Sequence, residues 1–314
     1  MSLRVAVQMD PMEGINIAGD STFAIMLGAQ KRGHRLFHYV APHLSYREGR
    51  VAAQVRPVQV RNQPGDHFTY GDWQRIDLED DVDVVLMRQD PPFDLSYITA
   101  THLLERVQKN TLVVNDPASV RNAPEKLFVL DYAEFMPPTL ITRSLEETRE
   151  FQARHGEIVV KPLYGNAGAA VFFIGRDDRN LAALSELFGH VWVEPFMVQA
   201  FLPDVAQGDK RIVLIDGKVS GAINRLPKDG EIRSNLAAGG RAEATDLTAR
   251  EREISEALGP ELAERGLLFV GIDVIGGYLT EINVTSPTGI VAIDRFNDTD
   301  TPGLIWDSIE AKIS

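Results

Sequence analysis

Apolar runs alternate with amphipathic stretches along the first 122 residues of the chain. Leu3 to Met9 is apolar enough for a buried strand, and the helix after it can be capped by Asp20 or Ser21 and ends at Gly33. The pattern predicts three further elements: a strand at Asp83 to Arg88, a helix at Ile98 to Val107 and a strand at Thr111 to Asn115. Strands that alternate with helices predict a mostly parallel sheet with both faces covered, and such sheets bind ligands beyond the carboxyl ends of their strands.

From residue 123 onward the pattern changes to short strands, hairpins and capped helices. Ser144 with Glu147, and Thr248 with Glu251, have the spacing of a capping box at a helix start. Asp216-Gly217 is a turn signal between two strand-like runs. The predicted strands are Glu157 to Lys161, Ala169 to Ile174, Trp192 to Val198, Arg211 to Ile215, Lys218 to Asn224, Leu268 to Val274 and Leu279 to Asn283. The predicted helices are Pro124 to Leu130, Leu181 to Phe188, the stretch from Thr248 to Gly266 and Pro302 to Ile313. This pattern predicts α+β architecture.

Length and composition narrow the function classes. The chain has 314 residues, which suggests about two domains. Its 44% hydrophobic and 25% charged residues are typical of a globular protein, and its net charge of -13 repels nucleic acid and anionic membranes. The absence of cysteine excludes thiol nucleophiles, disulfides and cysteine-ligated zinc. The first residues lack a signal-peptide block and no run approaches a membrane span, so we expect a cytoplasmic protein.

Two predicted strands near the C-terminus carry oxygen-bearing side chains. Glu281 and Asn283 are two residues apart, so they share one face of their strand. Asp273 joins them if it pairs opposite Glu281, which on this reasoning requires an odd loop such as residues 276–278, because a two-residue Gly276-Gly277 turn would put it on the other face. Three hard oxygen donors suit magnesium. The alternative is that these side chains are simply solvated.

A second candidate site begins at Lys161, at a predicted strand end. The following loop, Gly165-Asn166-Ala167-Gly168, can turn backbone N–H groups toward phosphate oxygens while the lysine supplies positive charge. The sequence contains neither the G-x-x-x-x-G-K-S/T loop nor the G-x-G-x-x-G motif. An ordinary hairpin turn is the alternative interpretation.

Basic residues are concentrated between Asp209 and Arg241, in contrast to the acidic chain as a whole. The basic residues of this segment are Lys210, Arg211, Lys218, Arg225, Lys228, Arg233 and Arg241, and the acidic residues are Asp209, Asp216, Asp229 and Glu231. Arginine pairs well with carboxylate and phosphate, so the segment is a candidate anion site. Basic surface strands are the alternative.

Several motifs occur in one order over about 280 residues, and together they resemble the ATP-grasp superfamily and, within it, the bacterial glutathione synthetase family. These motifs are Asp10-Pro11, Ile15-Asn16-Ile17, Asp20-Ser21, Met87-Arg88, Asp90-Pro-Pro-Phe-Asp94, Glu125-Lys-Leu-Phe128, Lys161-Pro-Leu163, Gly208-Asp-Lys-Arg211, Asn235-Leu-Ala-Ala-Gly-Gly-Arg241, Phe269-Val-Gly-Ile-Asp273 and Leu279 to Thr288. The sequence departs from the family at Gln89, where a lysine is expected, at Gly289 to Asn297, and in a glycine-poorer phosphate loop with Ala167 and Ala169.

The resemblance implies a fold and an activity. The implied fold is an N-terminal Rossmann-like α/β domain (1–122), an α+β lid subdomain (123–199) and an α+β catalytic subdomain (200–314), with ATP between the two subdomains. The implied activity is ATP-dependent ligation of γ-glutamylcysteine and glycine through an acyl phosphate, giving glutathione, ADP and phosphate. Mg²⁺, as two ions, is the implied metal, with Mn²⁺ as an alternative, and a homodimer or homotetramer is the implied assembly. The alternatives are an ATP-grasp ligase with another acceptor or acid, and a nucleotide-binding regulator without turnover.

The resemblance also implies roles for individual residues. The implied ATP contacts are Lys126, Lys161, Gly165, Asn166, Gly168, Gln199, Phe201, Leu202 and Asp209. The implied catalytic residues are Arg211, Arg225, Arg233 and Gly240, and the implied metal ligands are Asp273, Glu281 and Asn283. The implied substrate contacts are Asp10, Asn16, Ile17, Ser21, Arg88, Asn235, Ser286 and Thr288, of which Ser286 and Thr288 would seat the incoming amino acid.

Overall fold

The computed structural model describes residues 2–165, 168–236 and 239–313. Its N-terminal part contains eight strands and three helices. The strands are β1 (Arg4–Gln8), β2 (Arg35–Tyr39), β3 (Leu44–Arg47), β4 (Arg50–Val60), β5 (Phe68–Tyr70), β6 (Gln74–Asp77), β7 (Val84–Met87) and β8 (Leu112–Val114). The helices are α1 (Ser21–Lys31), α2 (Leu95–Glu105) and α3 (Pro117–Arg121). The side chain of Asp20 caps α1 by accepting a hydrogen bond from Phe23 N at 2.6 Å.

These strands form one mixed sheet. Its order is β3-β4-β2-β1-β7-β8, with β5 and β6 also paired with β4. The segment β2-β1-β7-β8 is parallel, as the apolar runs predict. Strands β3 to β6 add antiparallel pairs that the pattern does not predict, because polar and exposed positions interrupt residues 44–77.

The middle part of the chain folds into a four-stranded antiparallel sheet in the order β11-β10-β12-β9, which we call the lid sheet. Its elements are β9 (Thr139–Thr142), α4 (Leu145–His155), β10 (Ile158–Pro162), β11 (Phe172–Ile174), α5 (Leu181–Val191) and β12 (Phe196–Ala200). It has its own apolar core, centred on Phe151, Ile158 and Phe188. Strand β12 begins at Phe196 and not at Trp192 as predicted, and Val193 is exposed. In place of the predicted helix from Pro124, a 3₁₀ segment runs over Phe128–Phe135.

The last part of the chain forms a five-stranded antiparallel sheet in the order β15-β14-β13-β16-β17, which we call the C-terminal sheet. Its elements are β13 (Asp209–Ile215), β14 (Lys218–Leu226), β15 (Arg241–Ala244), α6 (Ala249–Glu264), β16 (Phe269–Ile275), β17 (Tyr278–Asn283), α7 (Ile290–Asn297) and α8 (Thr301–Ile313). The predicted capping box at the start of α6 is complete, and this helix continues through Pro260. The predicted capping box at the start of α4 is only half formed. The Ser144 side chain accepts a hydrogen bond from Glu147 N, but the Glu147 carboxylate accepts from the Thr142 hydroxyl and not from the Ser144 backbone N–H.

The helices cover both faces of the N-terminal sheet. Val5 and Val7 pack in one core with residues of α1 and α8, whereas Ala6 points to the opposite core, which includes α2. The indole N–H of Trp306 in α8 donates to Ile25 O in α1 at 2.8 Å, and the chain's last helix is thereby buried against its first. Among the described residues, no helix combines the length and apolar character that crossing a membrane requires.

Candidate active site

One face of the C-terminal sheet is apolar at one end and charged at the other. Side chains alternate along β13, so Asp209 and Arg211 share a face with Val213 and Ile215. Val213 and Ile215 lie in the core that contains α8. The charged end of the face lies beyond that core, where the cavities of the molecule open.

Asp273 on β16 is the centre of this charged end. Its carboxylate accepts hydrogen bonds from Arg211 Nε at 2.6 Å and Arg211 Nη2 at 3.0 Å, and Arg225 Nη2 lies 3.0 Å from its Oδ1. The side chain is only 2% exposed. Burial alone would raise the pKa of Asp273, but the charges of the two arginines outweigh it and hold this pKa well below its usual range. Asp273 is therefore a permanent anion.

Asp209 and Arg225 form a second pair across β13 and β14. Arg225 Nη2 donates to Asp209 Oδ2 at 2.6 Å, and Ser234 Oγ donates to the same oxygen at 2.9 Å. Burial raises the pKa of Asp209, with Arg225 opposing the shift. Burial would lower the pKa of Arg225, but Asp209 and Asp273 raise it above its usual value. The two carboxylates thus share one fully charged arginine in a buried network.

The register of β16 and β17 puts the three predicted oxygen donors on one face. Asp273 pairs opposite Glu281, and Gly271 pairs opposite Asn283, whose Nδ2 donates to Asp273 Oδ2 at 3.3 Å. The pairing prediction is confirmed, but the loop prediction is wrong. Gly276 and Gly277 form a two-residue turn, and a bulge between Asp273 and Val274 restores the register.

Two lysines and a second glutamate surround Glu281. Lys126 Nζ lies 3.4 Å and Lys161 Nζ 3.8 Å from Glu281 Oε1, and Lys126 Nζ also donates to Gly165 O at 2.6 Å. Burial lowers the pKa of Lys161. For Lys126 burial is outweighed by the combined charges of Glu281 and Glu125, which raise the pKa. Burial raises the pKa of Glu125 to about 7, against the opposing charge of Lys126, whose Nζ lies 3.8 Å away.

The donor set at this position fits a hard divalent cation. Asp273, Glu281 and Asn283 offer carboxylate and amide oxygens on one face, which is the ligand chemistry of magnesium. Within residues 2–165, 168–236 and 239–313, His, Cys, Asp and Glu side chains alone form no group of three that could hold a metal ion, so Asn283 is needed to complete the set. Arg211 and Arg225, which bind the carboxylate of Asp273, would have to share its oxygens with the cation.

A cavity lies between the lid sheet and the C-terminal sheet, and we call it the lid cavity. Most of the predicted ATP contacts line it. Its lining includes Lys161, Gly168, Gln199, Phe201, Leu202 and Asp209. Lys126 and Gly165 are hydrogen-bonded to each other beside it. Asn166, which the resemblance places with them, lies outside the described residues.

A second cavity, which we call the arginine cavity, opens on the other side of the charged network. Its lining includes Arg211, Arg225, Asn235, Asn283, Ser286 and Thr288. Ser286 Oγ donates to Asp90 Oδ1 at 2.8 Å, and Thr288 O accepts from Arg211 Nη1 at 3.1 Å. The predicted arginines, metal ligands and acceptor residues thus lie along two neighbouring cavities, because Arg233, Asp273 and Glu281 line the lid cavity and the others line the arginine cavity.

Arg233 and Gly240 lie around the segment that separates the two cavities. Arg233 lines the lid cavity and pairs with Glu231 at 3.3 Å. Gly240 packs so closely that a Cβ would lie 2.0 Å from Ser234 O. Gly168 has φ +74°, and a Cβ there would lie 2.6 Å from Asn235 Oδ1, so the lid loop touches this segment where no side chain fits.

The predicted substrate residues of the N-terminal part lie further from the two cavities. Asp10 reaches the arginine cavity through a hydrogen bond from Asp90 N to its Oδ2 at 2.9 Å, and Ser21 Oγ accepts from Gly289 N at 3.1 Å. Asn16 and Ile17 line neither cavity. Arg88 is buried, and it donates to Thr22 Oγ1 and Pro287 O, so it fixes the loop that carries Ser286 and Thr288.

Three further residues belong to the site, although the sequence reasoning gives them no role. Glu125 and Asp90 line the arginine cavity, and Ser234 binds Asp209. Glu125 and Asp90 stand inside motifs of the resemblance, which is the signal that could have pointed to them. Gln89, where a lysine is expected, is buried and accepts a hydrogen bond from Gln8.

Two family models match the chain. The prokaryotic glutathione synthetase N-terminal domain matches residues 3–121, and the prokaryotic glutathione synthetase ATP-grasp domain matches residues 125–298. A glutathione synthetase of Agrobacterium fabrum is 58% identical over 98% of this chain and 96% of that protein. One of Shewanella oneidensis is 44% identical over 99% of each.

Solved structures show the same fold at low sequence identity. The D-cycloserine synthetase DcsG superposes with a TM-score of 0.70 at 16% identity, covering 99% of this chain and 100% of that one. The ATP-grasp ligase PsnB, in a complex with Mg and ADP, gives a TM-score of 0.63 at 19% identity, covering 100% and 99%. These likenesses confirm the ATP-grasp fold class predicted from the sequence.

Proposed function

Since this chain belongs to the prokaryotic glutathione synthetase family and is an ATP-dependent ligase of that type, we propose that its substrates are γ-glutamylcysteine and glycine. ATP would phosphorylate the cysteinyl carboxylate to an acyl phosphate, releasing ADP, and the glycine amine would then attack the carbonyl carbon and displace phosphate. A free carboxylate is a poor electrophile, and this sequence of steps activates it.

The observation that carries the proposal is the continuous charged network between the two cavities. Arg211 and Arg225 line the arginine cavity and also hold Asp273, which lines the lid cavity. A carboxylate in the arginine cavity would therefore lie next to a nucleotide phosphate in the lid cavity. Phosphoryl transfer needs this adjacency and a positive field for the migrating charge.

We assign the lid cavity to ATP. Phe201 and Leu202 would border the base, and Lys126 and Lys161 would hold the phosphates with the loop of Gly165, Asn166 and Gly168. Gln199 and Asp209 complete this set. Asp273, Glu281 and Asn283 would hold Mg²⁺, as one or two ions, or Mn²⁺, and such a cation would neutralise phosphate oxygens and act as a Lewis acid when bound.

The arginines are assigned to charge that develops on the substrates. Arg225 and Arg211 face the arginine cavity, where they would stabilise the acyl phosphate and the oxyanion of the tetrahedral intermediate. Arg233 would stabilise the same charge from the side of the lid cavity. Gly240, which has no side chain, would allow the backbone to approach the reacting groups closely. Asn235, Ser286 and Thr288 would seat the reacting groups.

The remaining assignments concern the whole molecule. We propose that Asp10, Asn16, Ile17 and Ser21 meet the γ-glutamyl end, with Arg88 fixing the loop behind them. The units would be 1–122 for substrate binding, 123–199 as a lid and 200–314 for catalysis, in a cytoplasmic homodimer or homotetramer that binds neither nucleic acid nor membrane. The composition and net charge support the last point.

The decisive experiment measures ADP release by the purified protein with γ-glutamylcysteine, with and without glycine, and with other amines in place of glycine. We expect glycine-dependent release, and Glu281→Gln should abolish most of it. If ADP release does not depend on glycine, the proposed substrates are wrong. If Glu281→Gln releases ADP as fast as the unmodified protein, the metal assignment is wrong.

A second measurement tests the arginine assignment. Arg225→Ala should reduce kcat by about 10²- to 10³-fold, because the substrate charge that Arg225 is proposed to stabilise develops only during the reaction, while the Kd for ATP changes little. Nucleotide binding is followed by the shift in Tm that ATP causes. Equal losses in kcat and ATP affinity would contradict the assignment.

A further inference from the structure

A third cavity adjoins the arginine cavity, and the reaction as described does not use it. We call it the aromatic cavity, because its wall contains Phe93 and Tyr164 with Leu163, Pro91 and Pro124. It shares Pro91, Glu125 and Thr285 with the arginine cavity, so the two spaces meet at these residues. Its free volume is about 10 Å³, against about 190 Å³ in the arginine cavity, which leaves room for about one water molecule.

The wall of the aromatic cavity is fixed on both sides. The rings of Phe93 and Tyr164 stack with centroids 6.1 Å apart and an angle of 8° between their planes. Phe93 also packs on Tyr97 at 5.2 Å, and Tyr97 is fully buried. Because these rings come from the N-terminal part and from the lid sheet's loop, their contact closes this end of the site.

Glu125 supplies the charge at the junction of the two cavities. Its side chain is 17% exposed, so solvent screens its charge weakly, and its backbone carbonyl accepts from Ile282 N at 3.2 Å, between Glu281 and Asn283. The other acidic residue in the lining of the arginine cavity, Asp90, is exposed and accepts from Ser286. Glu125 is therefore the less exposed of the two carboxylates that an ammonium group in the arginine cavity can contact, and it shares its charge with Lys126 Nζ at 3.8 Å.

We propose that Glu125 binds the ammonium group of the acceptor amino acid, and that Phe93 with Tyr164 excludes an acceptor side chain larger than hydrogen. The carboxylate of the acceptor lies toward Ser286 and Thr288, and its α-carbon faces the aromatic pair. The space beside the pair holds about one water molecule, which is smaller than a methyl group, so glycine is selected by exclusion. This inference rests on the proposed function, since it presupposes an amino acid acceptor.

Phe93→Ala tests the exclusion. With γ-glutamylcysteine and ATP held constant, the ratio of kcat/KM for L-alanine to kcat/KM for glycine should rise at least about tenfold, which is the lower end of what one methyl group contributes to discrimination. Phe68→Ala, which removes a partly buried ring that lines none of the three cavities, is the matched control and should leave the ratio unchanged. If Phe93→Ala does not fold, Phe93→Leu should shift the ratio in the same direction by a smaller factor.

Glu125→Gln tests the ammonium contact. We expect the KM for glycine to rise tenfold or more, while the Tm shift caused by ATP and the KM for the dipeptide stay near their original values. Glu125→Asp should recover part of the glycine affinity. An unchanged glycine KM, or an equal loss of ATP binding, overturns the role of Glu125.

Failure of this inference is distinguishable from failure of the proposed function. If the unmodified protein shows no glycine-dependent ADP release, the function itself is wrong. If it shows that release but Phe93→Ala alters the preference among dipeptides and not among amines, the aromatic cavity belongs to the acid substrate and the inference is overturned.

Discussion

In the parallel part of the N-terminal sheet (β2-β1-β7-β8) most strand positions are buried and the polar groups of the site lie on the loops beyond them, whereas in the C-terminal sheet the charged groups lie on the strands. Asp90 follows β7 in a loop, while Arg211 and Asp273 stand directly opposite each other on β13 and β16. A parallel sheet buried on both faces has no surface for charge except at its ends. An antiparallel sheet can keep one face open, and here half of one face carries the buried charged network of Asp209, Arg211, Arg225 and Asp273.

The difference predicts that substitutions on the C-terminal strands affect stability and activity together, whereas substitutions on the loops that line the cavities affect substrate binding alone. A charge on a buried strand is held by partners that remain buried after it is removed. When a loop side chain at the rim of a cavity is removed, water can hydrogen-bond to the group that was its partner.

The largest effect should come from Asp273→Ala. It leaves Arg211 and Arg225 buried without their shared carboxylate, so the free energy of unfolding should fall by about 3–5 kcal/mol, and glycine-dependent ADP release should disappear. Urea denaturation measures the first effect. Asp294→Ala in α7, which also removes a hydrogen-bonded carboxylate but lines none of the three cavities, is the control for activity. A stability loss below 1 kcal/mol would contradict the comparison.

An intermediate effect is expected for Ser286→Ala in the loop after β17. The substitution removes the hydroxyl that donates to Asp90 and that we assign to seating the acceptor amino acid. Since one hydrogen bond contributes about 1 kcal/mol, the KM for glycine should rise about fivefold, while kcat and Tm change little. Steady-state kinetics with each substrate varied in turn measures this. Ser220→Ala, which removes a partly buried hydroxyl near Thr301, should leave every KM unchanged. A fall in Tm as large as that of Asp273→Ala would remove the distinction between strand and loop.

The smallest effect concerns the ion pair between Arg4 and Asp83, which lies where the inner strands β1 and β7 of the N-terminal sheet begin. The hydrogen bond from Arg4 lowers the pKa of Asp83, but both side chains are more than a quarter exposed, so the pair contributes about 0.2–1 kcal/mol. Since the folded pKa lies below the unfolded value of about 3.9, this contribution is present above pH 4 and is lost as the pH falls through the folded pKa. Urea denaturation of Asp83→Asn should show a stability deficit at pH 6 that shrinks toward pH 3. A deficit that is constant with pH would show that the charge does not matter.

Much of the architecture was accessible to sequence reasoning because local patterns dictate it. The apolar runs predict β1, β7 and β8, and the spacing of Thr248 and Glu251 predicts the start of α6. Strand β4 is missed, because its eleven residues mix exposed and buried positions and their partners lie in four other strands. Such long-range pairing leaves little trace in a local pattern.

The sequence predicts which residues belong to the candidate site, but it does not predict how they are arranged and paired. Alternation places Glu281 and Asn283 together, but the bulge that brings Asp273 opposite Glu281 depends on backbone geometry that no residue pattern announces. The burial of Glu125 is equally hidden, because its surroundings come from residues distant in sequence, such as Ile282 and Tyr164. Charge type can be read from a sequence, but the solvent exposure of that charge depends on the tertiary fold.

The packing of α8 on α1 has a mechanical consequence. Trp306 in α8 binds Ile25 in α1, and both helices lie in a core shared by the N-terminal and C-terminal sheets, so we expect these two sheets to move as one block. The lid sheet has a separate core and is the unit that can swing against this block as nucleotide enters. A fluorescent reporter on α5 should therefore follow nucleotide entry, whereas one on α8 should stay silent until the whole molecule unfolds.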